Sequence, residues 1–174
     1  MRHNPGRPNP DEHHPYYALY VNRVPDGDVV AQLERQLDST LALIGPLTPA
    51  QAVFRPKPDD WHVTQVIGHL ADSERVFSYR ALRFARNDPT PLPGIDQDVL
   101  MAGSLFDRRP LADVLAEFAA DRRATIALFA SLDPEAWLRR GSADGNPVSV
   151  RALAYITAGH ELHHIADFHA RYGI

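Results

Sequence analysis

A chain of 174 residues, 44% apolar and 23% charged, is long enough to bury the core of one domain. Its 18 basic and 22 acidic side chains leave a net charge of −4, and no long basic run marks a nucleic-acid surface. With no cysteine, disulfides and thiolate metal sites are excluded, so any metal ligand must be His, Asp or Glu. No apolar stretch approaches the ~20 residues of a membrane span, and the opening residues lack the apolar segment of a signal peptide. The expected setting is the cytoplasm, with no nucleic-acid or membrane partner.

Residues 1–15 carry four prolines and no periodic apolar pattern, which reads as a disordered or loosely attached tail. His3, His13 and His14 fall there and are expected to be solvated. The folded domain then spans 16–174. Its first helix is expected from about Asp28 to Ile44, with Val29, Leu33, Leu37, Leu41 and Ile44 as the apolar stripe and Gly45-Pro46 as the stop. The link from Pro46 to His62 should hold a helical turn around Thr48-Pro49-Ala50-Gln51. The second helix runs from about Val63 to Arg86, with His69 at the edge of a stripe through Val66, Leu70, Ser73, Phe77 and Phe84. A link of about 22 residues follows, from Asn87 to Arg109, with a short helix near Asp98 to Phe106. Extended, it could reach ~70 Å. A helix of ~24 residues is only ~36 Å long, so the link can cross the whole bundle and allow the second and third helices to run parallel.

The third helix begins near Pro110 and carries Leu111, Val114, Leu115, Phe118, Thr125, Leu128 and Phe129 before stopping near Pro134. The fourth starts after Asn146-Pro147, with Ser149 as its N-cap, and continues to about Arg171. No segment reads as a convincing strand. Four long amphipathic helices in one domain predict an all-α fold, a four-helix bundle with a long crossover between helices 2 and 3.

The fourth helix concentrates the chemistry. His160 and His164 are one turn apart and project from one side, the arrangement that lets two imidazoles share one ion. His163 lies ~60° from His160 the other way, and His169 points to the opposite sector. Both faces of this helix are apolar, so histidines on its inner side are buried and need partners for their ring nitrogens. His69, on the second helix, is the candidate for a third ligand. His160-Glu161-Leu162-His163-His164 also matches H-E-x-x-H, the zinc metalloprotease pattern. A protease is disfavoured, because only ten residues follow His164 to supply the usual downstream ligand and no accompanying strand is expected. Glu161 lies ~100° around the helix from His160, a poor position for a general base.

Two longer stretches carry a resemblance. Trp61-His62-Val63-Thr64-Gln65-Val66-Ile67-Gly68-His69-Leu70-Ala71-Asp72-Ser73-Glu74 resembles the helix-two signature of the DinB-like superfamily, and Gly159-His160-Glu161-Leu162-His163-His164-Ile165 its helix-four signature. Pro15-Tyr16-Tyr17, Val24-Pro25-Asp26-Gly27-Asp28 and Pro91-Leu92-Pro93-Gly94 are similar to the branch that holds bacillithiol S-transferases and metal-dependent hydrolases. The likeness covers residues 15 to 174. It implies a homodimeric four-helix bundle binding a divalent metal, commonly zinc or nickel, on His69, His160 and His164. His62 departs from the pattern, since relatives often carry Ser or Thr there to cap the second helix. Thr64 or Asp60 is the expected substitute.

On that resemblance the leading expectation is a thiol S-transferase that uses a low-molecular-weight thiol cosubstrate, bacillithiol-like, against a small-molecule electrophile. A metal-water hydrolase, with Asp72, Glu74 or Asp167 as base, and a non-catalytic metal-binding stress-response protein are the alternatives. Arg80 shares His69's side of the helix and could meet an anionic cosubstrate, although a solvated arginine is the plainer expectation. Metal binding should weaken as the imidazoles protonate below about pH 6.

Overall fold

The apolar spacing does generate four long helices. The computed structural model describes residues 4–174, so His3 lies outside the described residues. Two 3-10 turns, Pro10–Glu12 and Pro15–Tyr17, lead into a one-turn helix α1 (Ala18–Val21). There follow α2 (Val29–Ile44), the short α3 (Pro49–Ala52), α4 (Val63–Ala85), α5 (Gln97–Gly103), a 3-10 turn at Phe106–Arg108, α6 (Leu111–Ala130) and the short α7 (Pro134–Leu138). A hairpin of β1 (Arg140–Ala143) and β2 (Asn146–Ser149) precedes α8 (Val150–Asp167), which ends in a π turn, Phe168–Tyr172.

Side-chain caps start three of the long helices. The Asp28 carboxylate accepts from the Val30 N–H at 2.9 Å, and the Ser149 hydroxyl accepts from the Ala152 N–H at 3.0 Å. His62 itself caps α4, in place of the expected Thr64 or Asp60. The Gln65 N–H donates to His62 Nδ1, and the Gln65 side-chain oxygen accepts from the His62 N–H, each at 3.2 Å. A neutral imidazole acceptor thus closes the same reciprocal box that Ser or Thr would.

The two apolar clusters of the core define the topology. One holds Val29–Leu33 of α2, Phe77–Ala85 of α4, Phe129 of α6 and Val150–Ala158 of α8. The other holds Leu37–Ile44 of α2, Val63–Ala71 of α4, Val114–Ala119 of α6 and Phe168. α2 and α8 therefore run from the first cluster to the second, and α4 and α6 run the opposite way. α4 and α6 are parallel, as the crossover length allows. Leu92 lies in the first cluster and Phe106 in the second, so the crossover carries the chain back along the bundle. α4 packs against α6 and α8, and α2 packs against the same two. Between the clusters, each long helix contributes buried polar side chains: Gln36, Glu74, Arg122, His160 and Glu161.

Two further expectations are corrected here. Residues 4–15 are anchored to the bundle through Pro5, Pro8, Glu12 and His13, which are buried, and are not a loose tail. Glu12 is 2% exposed; it accepts from the Ser149 hydroxyl and from Arg151 Nε, both at 2.7 Å. Burial alone would raise its pKa, but the Arg151, Asn9 and Ser149 hydrogen bonds bring it down to about 2. Arg7 donates to the Val21 and Val24 carbonyls at 2.8 and 2.6 Å, and His13 is buried rather than solvated. The second correction is the hairpin. Asp144 and Gly145 at its tip have φ of 54° and 71°, the left-handed pair that Asp-Gly supplies in tight hairpins. The strands have four residues each and include Pro147, too short for alternation to reveal. The hairpin also holds the crossover, because the Leu92 N–H donates to the Ser142 carbonyl at 2.8 Å.

Candidate functional site

His69 of α4 meets His160 and His164 of α8 where these helices cross the polar layer. His69 Nε2 lies 3.1 Å from His160 Nε2, and His164 Nε2 lies 3.2 Å from the same atom. The three ligand atoms all fall within 4.8 Å of one another. A neutral imidazole nitrogen either donates or accepts, so three nitrogens turned to one point are poorly served by hydrogen bonds among themselves. A shared cation suits them better. Metal–nitrogen bonds of about 2.1 Å put ligand atoms about 3.0 Å apart in octahedral and about 3.4 Å apart in tetrahedral coordination. The two short separations fall inside that range, so the residues fit a divalent ion.

The surroundings keep these rings neutral. Burial lowers His69 to about 4. Burial, then His69 and His163, lowers His164 to about 3. Burial, then His164 and His69, holds His160 well below its ordinary value. Aromatic rings wall the site: Tyr20 and Phe77 lie 5.1 and 5.8 Å from the His160 ring, and Trp61 lies 5.0 Å from His69. Tyr20 is held there by a close approach of α1 to α8. A Cβ on Gly159 would stand 2.0 Å from the Tyr20 carbonyl oxygen, so only glycine fits. Two cavities reach the imidazoles. One, of 190 Å³, is lined by His69 and His160 with Tyr16, Tyr20, Phe77 and Arg80. The other, of 300 Å³, is lined by His164 with Trp61, Asp98, Asp167 and Tyr172.

Most of the other candidates fall elsewhere. Glu161 faces away from the imidazoles and is 1% exposed; its Oε2 accepts from Arg122 Nη1 at 2.5 Å and its Oε1 from the Thr40 hydroxyl at 2.6 Å. Glu74 takes the other edge of the same guanidinium, accepting from Nε at 2.6 Å and Nη2 at 2.7 Å. Burial would lower the Arg122 pKa, but the two carboxylates more than offset that and raise it. Both glutamates are thus structural. Asp72 pairs with Arg75 at 3.2 Å. Asp167 remains at the site, on the wall of the cavity beside His164. His163 packs 5.6 Å from Tyr20 outside the three-histidine group, and its Nδ1 is buried without a partner. His169 is exposed and pairs with the Ile174 carbonyl at 2.6 Å. Arg80 is buried, not solvated, and donates to the Pro93 carbonyl at 2.8 Å.

Sequence reasoning missed the Arg122 ion pairs and the Tyr20 wall. The first had a visible signal, a charged residue within the buried Phe118–Thr125–Phe129 stripe of α6. The second had only the Tyr16-Tyr17 pair followed by Tyr20.

A helical bundle split by a polar layer, with three convergent imidazoles, two buried and one half-buried, opening onto cavities, is the architecture of a helical metal-binding class. The chain belongs to the DinB superfamily, whose family model matches residues 32–168. Among solved structures it is similar to YfiT from Bacillus subtilis, described as "a probable metal-dependent hydrolase with an unusual four-helix bundle topology". The TM-score is 0.71 at 18% identity, over 82% of each chain. At that identity the likeness establishes the fold alone. No curated protein sequence matches the chain.

Proposed function

We propose that the chain is a divalent-metal-dependent enzyme acting on small molecules, with His69, His160 and His164 as the ligands. The observation that carries this is the convergence of three imidazoles, two buried and one half-buried, with the Nε2 atoms of His69 and His164 each within 3.2 Å of His160 Nε2. A divalent ion there, zinc or nickel, would supply Lewis acidity and a nucleophile near neutral pH. The protein's own share is to hold three uncharged ligands, to keep Tyr20, Phe77 and Trp61 packed against them, and to present two cavities.

Between the reactions, we propose thiol S-transfer with a low-molecular-weight thiol, bacillithiol-like, as cosubstrate. The support is chemical. Glu74 and Glu161 are committed to Arg122, so neither is free to take a proton beside the imidazoles. A thiol ionises near pH 8.5 and needs less help from a base than water does. The second reading, hydrolysis, is favoured by Asp167, whose position on the cavity wall beside His164 suits a base. YfiT is described as a probable hydrolase, which supports the same alternative. On the resemblance, we propose a cytoplasmic homodimer as the working form.

Elemental analysis of the purified full chain tests the site. The expected result is one divalent ion per chain, lost in His160→Ala and in His164→Ala. Stoichiometric metal retained after either change overturns the ligand assignment. Turnover of small electrophiles with and without added thiol then separates the reactions. Thiol-independent hydrolysis that disappears in Asp167→Asn replaces transfer with the second reading.

A further inference from the structure

Among the described residues two arginines are at least nine-tenths buried, and their surroundings differ. Arg122, 1% exposed, is neutralised by two carboxylates. Arg80, 6% exposed, donates to the Pro93 carbonyl, and among the described residues no carboxylate lies within ion-pair distance of it. A buried cation without a counter-ion is costly, and folded chains almost always pair one. Its side chain borders open space instead. It lines the 190 Å³ cavity that contains His69 and His160, and also the adjoining 310 Å³ cavity. Tyr16, Tyr17 and Phe77 line both. The larger cavity continues over Leu153, Ile156 and Val148, and Asp144 is its one carboxylate, exposed at the hairpin tip.

We propose that Arg80 is the binding residue for the carboxylate of the substrate, and that the substrate is a small organic acid with a flat apolar or aromatic body. One guanidinium balances one carboxylate and can grip it through two parallel hydrogen bonds. Aromatic and aliphatic walls take the rest of the molecule, whose reacting end points to the imidazoles. A phosphate dianion carries one charge more than Arg80 balances; neither cavity offers another arginine or lysine, and His14, which lines the larger one, is exposed. Arg80 and His69 are eleven residues apart on α4, about 16 Å of helix rise, yet both side chains line the 190 Å³ cavity, so one small ligand can meet both. The identity of the reaction rests on the metal-enzyme reading; carboxylate binding does not.

Benzoate and its neutral isostere benzamide are the probes. They are titrated against the full chain by calorimetry, with the protein as purified and with metal-free His164→Ala. Benzoate is expected to bind at least about tenfold more tightly than benzamide in both forms. Arg80→Met should abolish that preference and melt no lower than the parent, because it removes an uncompensated buried charge. Equal binding of the two probes, or a preference that survives Arg80→Met, overturns the proposal. If Arg80→Met does not fold, the Arg80 Nε–H resonance of the parent decides: a shift on adding benzoate but not benzamide supports the assignment, and no shift refutes it. A metal-free variant that still prefers benzoate upholds this proposal whatever becomes of the metal reading. A metal-loaded chain with no preference refutes it and leaves that reading standing.

Discussion

Replacing Arg122 with methionine should unfold the chain far more readily than any change at the three histidines. The guanidinium is buried among Glu74, Glu161 and the Leu33 carbonyl, with four nitrogen–oxygen contacts of 2.5 to 2.7 Å or, for Leu33, 3.5 Å. Methionine fills much of the volume but leaves two carboxylates facing each other without a cation. Breaking a buried pair in this way costs about 3–5 kcal/mol. For a chain of this size, roughly 2–4 °C is lost per kcal/mol, so the melting temperature should fall by roughly 6–20 °C. Glu161→Gln is the milder probe. Its amide oxygen can accept from Arg122 while its NH2 donates to Thr40, and Glu74 still balances the guanidinium, so the cost should be about 1 kcal/mol. The triple change Arg122→Met, Glu74→Leu, Glu161→Leu removes every charge and should recover much of the loss. Urea unfolding followed by far-UV circular dichroism measures all three variants. An Arg122→Met chain within about 1 kcal/mol of the parent would refute a charged, dry layer. A Glu161→Gln chain with unchanged stability and metal content but no turnover would restore Glu161 to the role H-E-x-x-H suggests.

Two further expectations follow from the site's walls and burial. Gly159→Ala would drive a Cβ into the Tyr20 carbonyl, and because that atom is backbone, α1 must move as a unit; a loss of about 1–3 kcal/mol is expected in thermal melts, and undiminished stability would contradict the close α1–α8 approach. In the metal-free chain, burial lowers His69 to about 4 and His164 to about 3, against about 6.5 when unfolded, so the unfolded state binds more protons between pH 6.5 and 4. Stability fully present above pH 6.5 should therefore fall as pH drops through that window, by up to ~1.4 kcal/mol per unit for each imidazole, and proton competition with the metal should set in nearer pH 5 than pH 6. Melts of chelator-treated protein at pH 7, 5.5 and 4.5 check the sign, and a melting temperature flat over that range would contradict buried imidazoles.

What the sequence revealed and what it hid divide along physical lines. The long helices were legible because a buried stripe repeats every three to four residues and because Asp28 and Ser149 stand where caps belong. The pairing of His160 with His164 is local, so helix geometry alone predicts it. The meeting with His69 depended on family resemblance, because nothing in the periodicity of α4 says which of its faces will touch α8. The hidden features are long-range or brief. Glu12 is buried because Ser149 and Arg151, more than 130 positions away, supply its partners. Its own neighbours, prolines and polar residues, give a composition that reads as disorder. The hairpin has four-residue strands, and its only local mark was Asp144-Gly145.

The H-E-x-x-H motif illustrates why spacing alone misleads. Adjacent residues on a helix point about 100° apart, so whether Glu161 joins His160 at one centre depends on what each side chain meets, and spacing alone does not decide it. Here α4 receives His160 through His69, while Glu161 reaches α6 through Arg122 and α2 through Thr40. One sequence element thus carries two duties: the ring of His160 joins the cluster, and the carboxylate beside it locks α8 in register against the other helices. The same layer that ties the bundle together therefore fixes the height at which the imidazoles meet. A change in the ion pairs should disturb the metal site through helix position, and a change in the histidines should leave the ion pairs intact. That asymmetry is measurable: Arg122→Met should weaken metal affinity as well as stability, whereas His164→Ala should remove the metal while the chain's unfolding at pH 7 stays cooperative.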